Sequence, residues 1–109
     1  MTVVILEDAA EDLESGAQFY ESCATGVGDY FFDSLLSDLD SLVLFAGVHP
    51  IYFGFHRMLS KRFPFGIYYE VEDDVVYVNA LAAWQNTKQS RQTHHSPPFA
   101  PNLANLAVL

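Results

Sequence analysis

The sequence predicts an α+β domain. Its order is strand–helix–helix–strand–strand–strand, with an antiparallel-dominated sheet and a helical hairpin packed on one face. Three observations carry this. Apolar residues recur at three- and four-residue steps from Ala9 to Ala46. The period then changes to two, from Tyr52 to about Ala83. Gly47, Pro50, Pro64 and the pair Asp73-Asp74 fall where turns are needed.

The elements follow in order. Val3-Val4-Ile5-Leu6 is a short apolar run ahead of a turn into helix, and reads as a buried strand. Asp8 stands three residues before Glu11, a plausible N-cap pair. Ala10, Leu13, Ala17 and Tyr20 then form an apolar stripe, with Glu7, Glu11, Glu14 and Glu21 largely off it. This predicts an amphipathic helix ending near Ser22, slightly weakened by Gly16. After the connector CATGVGD, Asp29 is the expected cap of a second helix. Its apolar positions run Phe32, Leu35, Leu36, Leu39, Leu42, Val43 and Ala46. Asp33, Ser37, Asp38 and Asp40 are expected to face away. Gly47 suits a helix C-terminus, and Pro50 forbids continuation.

From Tyr52, alternation places Phe53, Phe55, Arg57 and Leu59 on one face and Gly54, His56, Met58 and Ser60 on the other. After Pro64, Phe65, Ile67, Tyr69 and Val71 share a face opposite Gly66, Tyr68, Glu70 and Glu72. A last strand runs from Val75 to about Ala83. Residues 1–92 are expected to form one domain. Residues 93–109 form an uncharged tail with three prolines, either disordered or docked on this sheet or a neighbour.

Charge is distributed unevenly. The net charge is −9, yet no Lys or Arg precedes Arg57. Residues 1–56 hold ten acids, and all five basic residues lie between Arg57 and Arg91. So acidic a surface repels phosphate, so direct DNA binding is not expected. Only 17% of residues are charged, which predicts surface buried against a partner. Cys23 is the single cysteine, excluding an intrachain disulfide. No basic-then-apolar leader and no membrane-length apolar run is present, so a cytoplasmic protein without membrane contact is expected. No cofactor is implied. His94-His95, without nearby acid or Cys, makes a poor metal site, and no metal is expected.

Three phrases, in order and at matching spacing, resemble the RelE/ParE superfamily of toxins from bacterial type II toxin–antitoxin modules. They are DLESGAQFYE, GVGDYFFDSLLSDLDSL and HRMLSKRFPFGIYYEVEDDVVYV. The phrase MLSKRFPFGIYYEVE resembles a ParE-like plasmid-stabilisation subgroup. The resemblance covers roughly residues 3–84. It implies a growth-inhibiting toxin neutralised by a cognate antitoxin protein. It also implies a target that is either DNA gyrase or messenger RNA on the ribosome.

In the nucleases of the superfamily, basic residues stabilise charge developing on phosphate, and a late Tyr or His moves protons. Arg57 and Lys61 match positions where those nucleases carry basic sheet residues; Arg62 is one step off. After the last strand, Gln85 and Asn86 stand where basic residues are expected, and the last tyrosine is Tyr77. Lys88 and Arg91 substitute only if the chain bends back. A gyrase-type protein target is therefore favoured over ribosome-dependent cleavage of mRNA, and a degenerate toxin that only binds antitoxin is a further alternative. Catalytic residues stay unassigned, with Arg57, Lys61 and His56 as candidates. The expected antitoxin- or target-binding groove comprises Arg57, Lys61, Arg62, Tyr68, Lys88 and Arg91. The simpler readings are a satisfied structural His56, and cross-strand pairing of the basic residues with Glu70 and Glu72.

Overall fold

A computed structural model describes residues 1–83; the expectations for Gln85, Asn86, Lys88, Arg91 and the 93–109 tail lie outside the described residues. The order is β1 (Thr2–Ile5), α1 (Glu7–Cys23), α2 (Val27–Asp40), α3 (Leu42–Phe45), β2 (Ile51–Tyr52), β3 (Phe55–Leu59), β4 (Phe65–Glu72) and β5 (Val75–Ala83). The strands form one sheet in the order β1-β5-β4-β3-β2. β1 runs parallel to β5 and every other pairing is antiparallel. The α+β architecture and its antiparallel-dominated sheet are thus as predicted.

The core lies between the helical hairpin and one sheet face. α1 contributes Ala9 and Leu13, and α2 contributes Phe31, Leu35 and Leu39. The sheet contributes Phe65, Ile67 and Tyr69 from β4 and Val76, Val78 and Leu81 from β5. At one end Tyr20, Phe31, Phe63 and Phe65 form an aromatic cluster with centroid separations from 4.8 to 6.4 Å. The inward face of β4 agrees with its alternation in sequence.

Several local expectations are corrected. α1 begins directly after Leu6, whose backbone is extended and provides no side-chain cap. Leu6 N–H still donates to Val78 O at 3.0 Å, so the chain leaves the sheet and enters the helix without an intervening turn. Asp8 therefore sits in the first helical turn, where its charge favours the helix dipole, and not at the cap. The N-cap of α2 is Gly26 at φ +89°, not Asp29. Its free amides are served from α1: the Glu21 carboxylate accepts from Gly26 N at 3.1 Å and Gly28 N at 3.0 Å. A cap reaching across from another helix leaves no local sequence pattern.

The second helix is also divided. Ser41 Oγ donates to Asp38 O at 2.6 Å, competing with the helical ladder, and α2 ends there. One further turn, α3, follows before Gly47 at φ +97°. Asp38 does not face solvent. It is 4% exposed, and its carboxylate accepts from Ser60 Oγ at 2.6 Å and Lys61 N at 3.4 Å. It thereby fastens α2 to the end of β3. The expected strand from Tyr52 is interrupted by a hairpin at Phe53 (φ +56°) and Gly54 (φ +84°). Two consecutive left-handed residues suit the twist of a tight antiparallel turn.

β5 carries an irregularity that alternation alone does not predict. Tyr68 pairs with Ala80 but Tyr69 pairs with Val78, leaving Asn79 as an extra residue. The inward residues accordingly pass from Val76 and Val78 to Leu81 and Ala83. β1 has ended by Val78, so Leu81 N–H has no strand partner on that side. It donates instead to Asp12 Oδ2 of α1, at 3.0 Å.

Candidate functional site

The face of the sheet opposite the helices holds a small second cluster: Tyr68, Ala80 and Ala82, all buried, with Phe55 packed against them. Arg57 belongs to this face because it pairs with Tyr68 across β3 and β4. Gly66 makes room for it. A Cβ on Gly66 would stand 3.2 Å from both Cγ and Cδ of Arg57, so a side chain at this position would crowd the arginine stem.

The head of Arg57 is framed by aromatic rings. Its Cζ lies 3.9 Å from the centroid of the Tyr52 ring, a cation–π contact supplied by the β2–β3 hairpin. Phe53, at the tip of that hairpin, is 6.4 Å from Tyr68 centroid to centroid. Burial pushes the Tyr68 phenol above its ordinary pKa, and the neighbouring Arg57 guanidinium opposes the shift. Arg57 Nε is buried and has no hydrogen-bond partner among the described residues. An unanswered donor on a planar cation suits a carboxylate or other oxyanion, which takes guanidinium N–H groups in pairs.

Beside this cation the surface turns acidic. Glu70 accepts from Asn79 Nδ2 at 3.0 Å. Together with Glu7, Asp8 and Phe55 these residues line a recess of about 550 Å³. Glu70 is thus engaged by the extra residue of β5.

The other predicted site residues are separated from Arg57. His56 faces the helices, stacked on Tyr69 at 5.0 Å and 20°, with its Nδ1 donating to His49 O at 2.7 Å. Lys61 lies past the end of β3, beside a recess of about 310 Å³ that Asp38, His49 and Met58 also line. Arg62 is exposed in the connection to β4. So the structure joins Arg57 to Tyr68 and sets His56 and Lys61 apart from them.

Sequence reasoning missed the network around Tyr69. Its hydroxyl accepts from Gly47 N at 2.9 Å and meets His49 Nδ1. Burial, and then His56, hold the His49 pKa below its ordinary value. Through these contacts to Gly47 and His49, the loop after α3 is pinned to β4. His49 precedes Pro50 and reads from sequence as a loop residue; nothing local marks its partner. Tyr52 and Phe53 as the arginine's frame were equally hidden, although the pair Phe53-Gly54 carries a turn signal.

Among the described residues, no helix is long and apolar enough to cross a membrane. No family model matches the sequence, and no curated protein matches it. A solved structure does match: a chain of the chromosomal ParDE TA system from P. aeruginosa, with a TM-score of 0.71 and 16% identity. The match covers 78% of this chain and 97% of that one. The fold is therefore ParE-like. At this identity the likeness speaks for the fold, and the activity has to be argued from the residues.

Proposed function

We propose that this chain is the toxin component of a type II toxin–antitoxin module, neutralised by a cognate antitoxin and directed at a protein target of the gyrase type. The observation that carries the reading is Arg57, held in an aromatic frame on the open face of a ParE-like sheet with a buried, unanswered Nε. Such a group can take a carboxylate from a protein partner. Arg57 is the basic residue that the geometry places with Tyr68, whereas Lys61 stands apart near Asp38. Cutting RNA needs several cations converging on one phosphate, together with an acid and a base. A net charge of −9 adds a repulsive field toward nucleic acid.

The test is expression of residues 1–109 from a tightly repressed promoter without antitoxin. Growth arrest with altered plasmid supercoiling and intact messenger RNA is expected. Arrest with codon-linked RNA cleavage would replace the reading with a ribosome-dependent nuclease. Normal growth with soluble, folded protein would leave a degenerate toxin that only binds its antitoxin. Arg57→Ala is expected to relieve arrest while leaving the melting temperature within a few degrees of the parent.

A further inference from the structure

We propose that residues 84–109 of this chain dock intramolecularly in the solvent-facing groove between α1 and α2. The groove has a volume of about 610 Å³. Leu13 and Ala17 of α1 form one wall, and Phe32 and Leu36 of α2 form the other. Phe32 is 39% exposed, a large aromatic surface facing water on the outer side of the hairpin. Glu14 and Asp29 stand on the rim.

The occupant is argued from charge and composition. All fourteen acidic residues of the chain lie within residues 1–83. Residues 84–109 carry no acid and two bases, Lys88 and Arg91. Their charge complements the acidic rim. Beyond Arg91 the segment has no further charged residue and ends in NLANLAVL. There Leu103, Leu106 and Leu109 recur every three residues, as one face of a short helix requires. The walls of the groove offer the matching ridges, Leu13 with Ala17 and Phe32 with Leu36, each pair four residues apart on its helix. Reach is not limiting. An extended segment of this length spans on the order of 80 Å at ~3.3 Å per residue, and the molecule's longest axis is 38 Å. The basic half would lie along the Glu14 and Asp29 rim, and the apolar half would cover Phe32.

Cys23 supplies the test, because it is exposed and lies two residues beyond Glu21, which also lines the groove. A nitroxide attached to Cys23 in the full chain, uniformly labelled with nitrogen-15, is expected to broaden the amide signals of residues 99–109. Phe32→Asp should restore those signals. Glu14→Lys, at an exposed site where the fold is not at risk, should restore them partly, as should high salt. Sharp tail signals in the parent protein would overturn the proposal, as would broadening that both variants leave unchanged. A mixture of nitrogen-15 chain without nitroxide and unlabelled chain with nitroxide separates the remaining case. Broadening in that mixture would mean that the segment docks on a second copy, and would also overturn it.

Discussion

Among the described residues, Asp12 carries the clearest departure from the ordinary chemistry of its type. It is 5% exposed, and desolvation drives its pKa from 3.8 to about 7, against the opposing hydrogen bond from Leu81 N–H. Asp8 and Glu11 add smaller upward pushes. The folded protein therefore holds this proton more tightly than the unfolded chain. The stabilisation is complete below about pH 4 and is lost as pH rises through about 7. Each pH unit within that window costs up to about 1.4 kcal/mol. Asp12→Asn keeps an acceptor for Leu81 N–H without the charge. It is expected to flatten the stability profile between pH 4 and 7, measured by urea unfolding at several pH values; an unchanged slope would mean that other groups set it. Asp12→Ala should instead cost ~1–3 kcal/mol at low pH, because a buried amide loses its partner. Nothing in the sequence singles out Asp12 among the acids of α1. Its role depends on β1 ending at Ile5 while β5 runs on to Ala83.

At the scale of elements, two close approaches decide the geometry. α1 and α2 meet at Gly28, where a Cβ would lie 2.5 Å from Ala17 O and 2.8 Å from Glu21 Cβ. Gly28→Ala should improve helix propensity by about 1 kcal/mol yet lower stability overall by ~1–3 kcal/mol, because the backbone of α1 cannot yield locally. A raised melting temperature would refute that packing account. Gly16, legible only as a weak point of α1, has a similar role: its missing Cβ leaves room for the Phe31 ring, 2.6 Å from where that Cβ would be. The β2–β3 hairpin presents the opposite situation. Phe53 occupies a left-handed conformation at φ +56° while 50% exposed, a backbone cost of ~1 kcal/mol for a bulky residue. Phe53→Asn is expected to stabilise the fold by about that amount, read from thermal melts. It should also weaken partner binding, if the ring is held there to frame the Arg57 site. Stabilisation with unchanged affinity would make Phe53 incidental to the site.

For the whole molecule, charge sets the main expectation. Residues 1–83 hold every acid of the chain and only Arg57, Lys61 and Arg62 as bases. Self-repulsion opposes the compact state, so salt should raise the melting temperature steadily until the Debye length falls to ~3 Å at 1 M. A flat response would show that the acids are spaced too widely to matter. The sheet is also closed by pairing across nearly the whole described chain, with Thr2 beside Val75. Contacts so far apart in sequence are formed against a large loop entropy, which predicts slower folding than for a helical bundle of this size.

Much of this was determined by sequence alone. The change of hydrophobic period near Tyr52 specified two helices followed by strands. The alternation in β4 specified which face is buried, and the placement of Arg57 opposite His56 followed from the same rule. These features are legible because they depend on neighbours a few residues away. Tertiary structure decided what depends on distant partners. Asp38 turns inward to Ser60 and Asp12 answers Leu81, each far in sequence from the group it serves, and Glu21 caps α2 from a different helix. The extra residue Asn79 and the aromatic frame of Arg57 belong to the same class. A side chain's local pattern records its own preference for water. Which unsatisfied amide or ring will stand beside it is fixed only when the strands and helices close on one another.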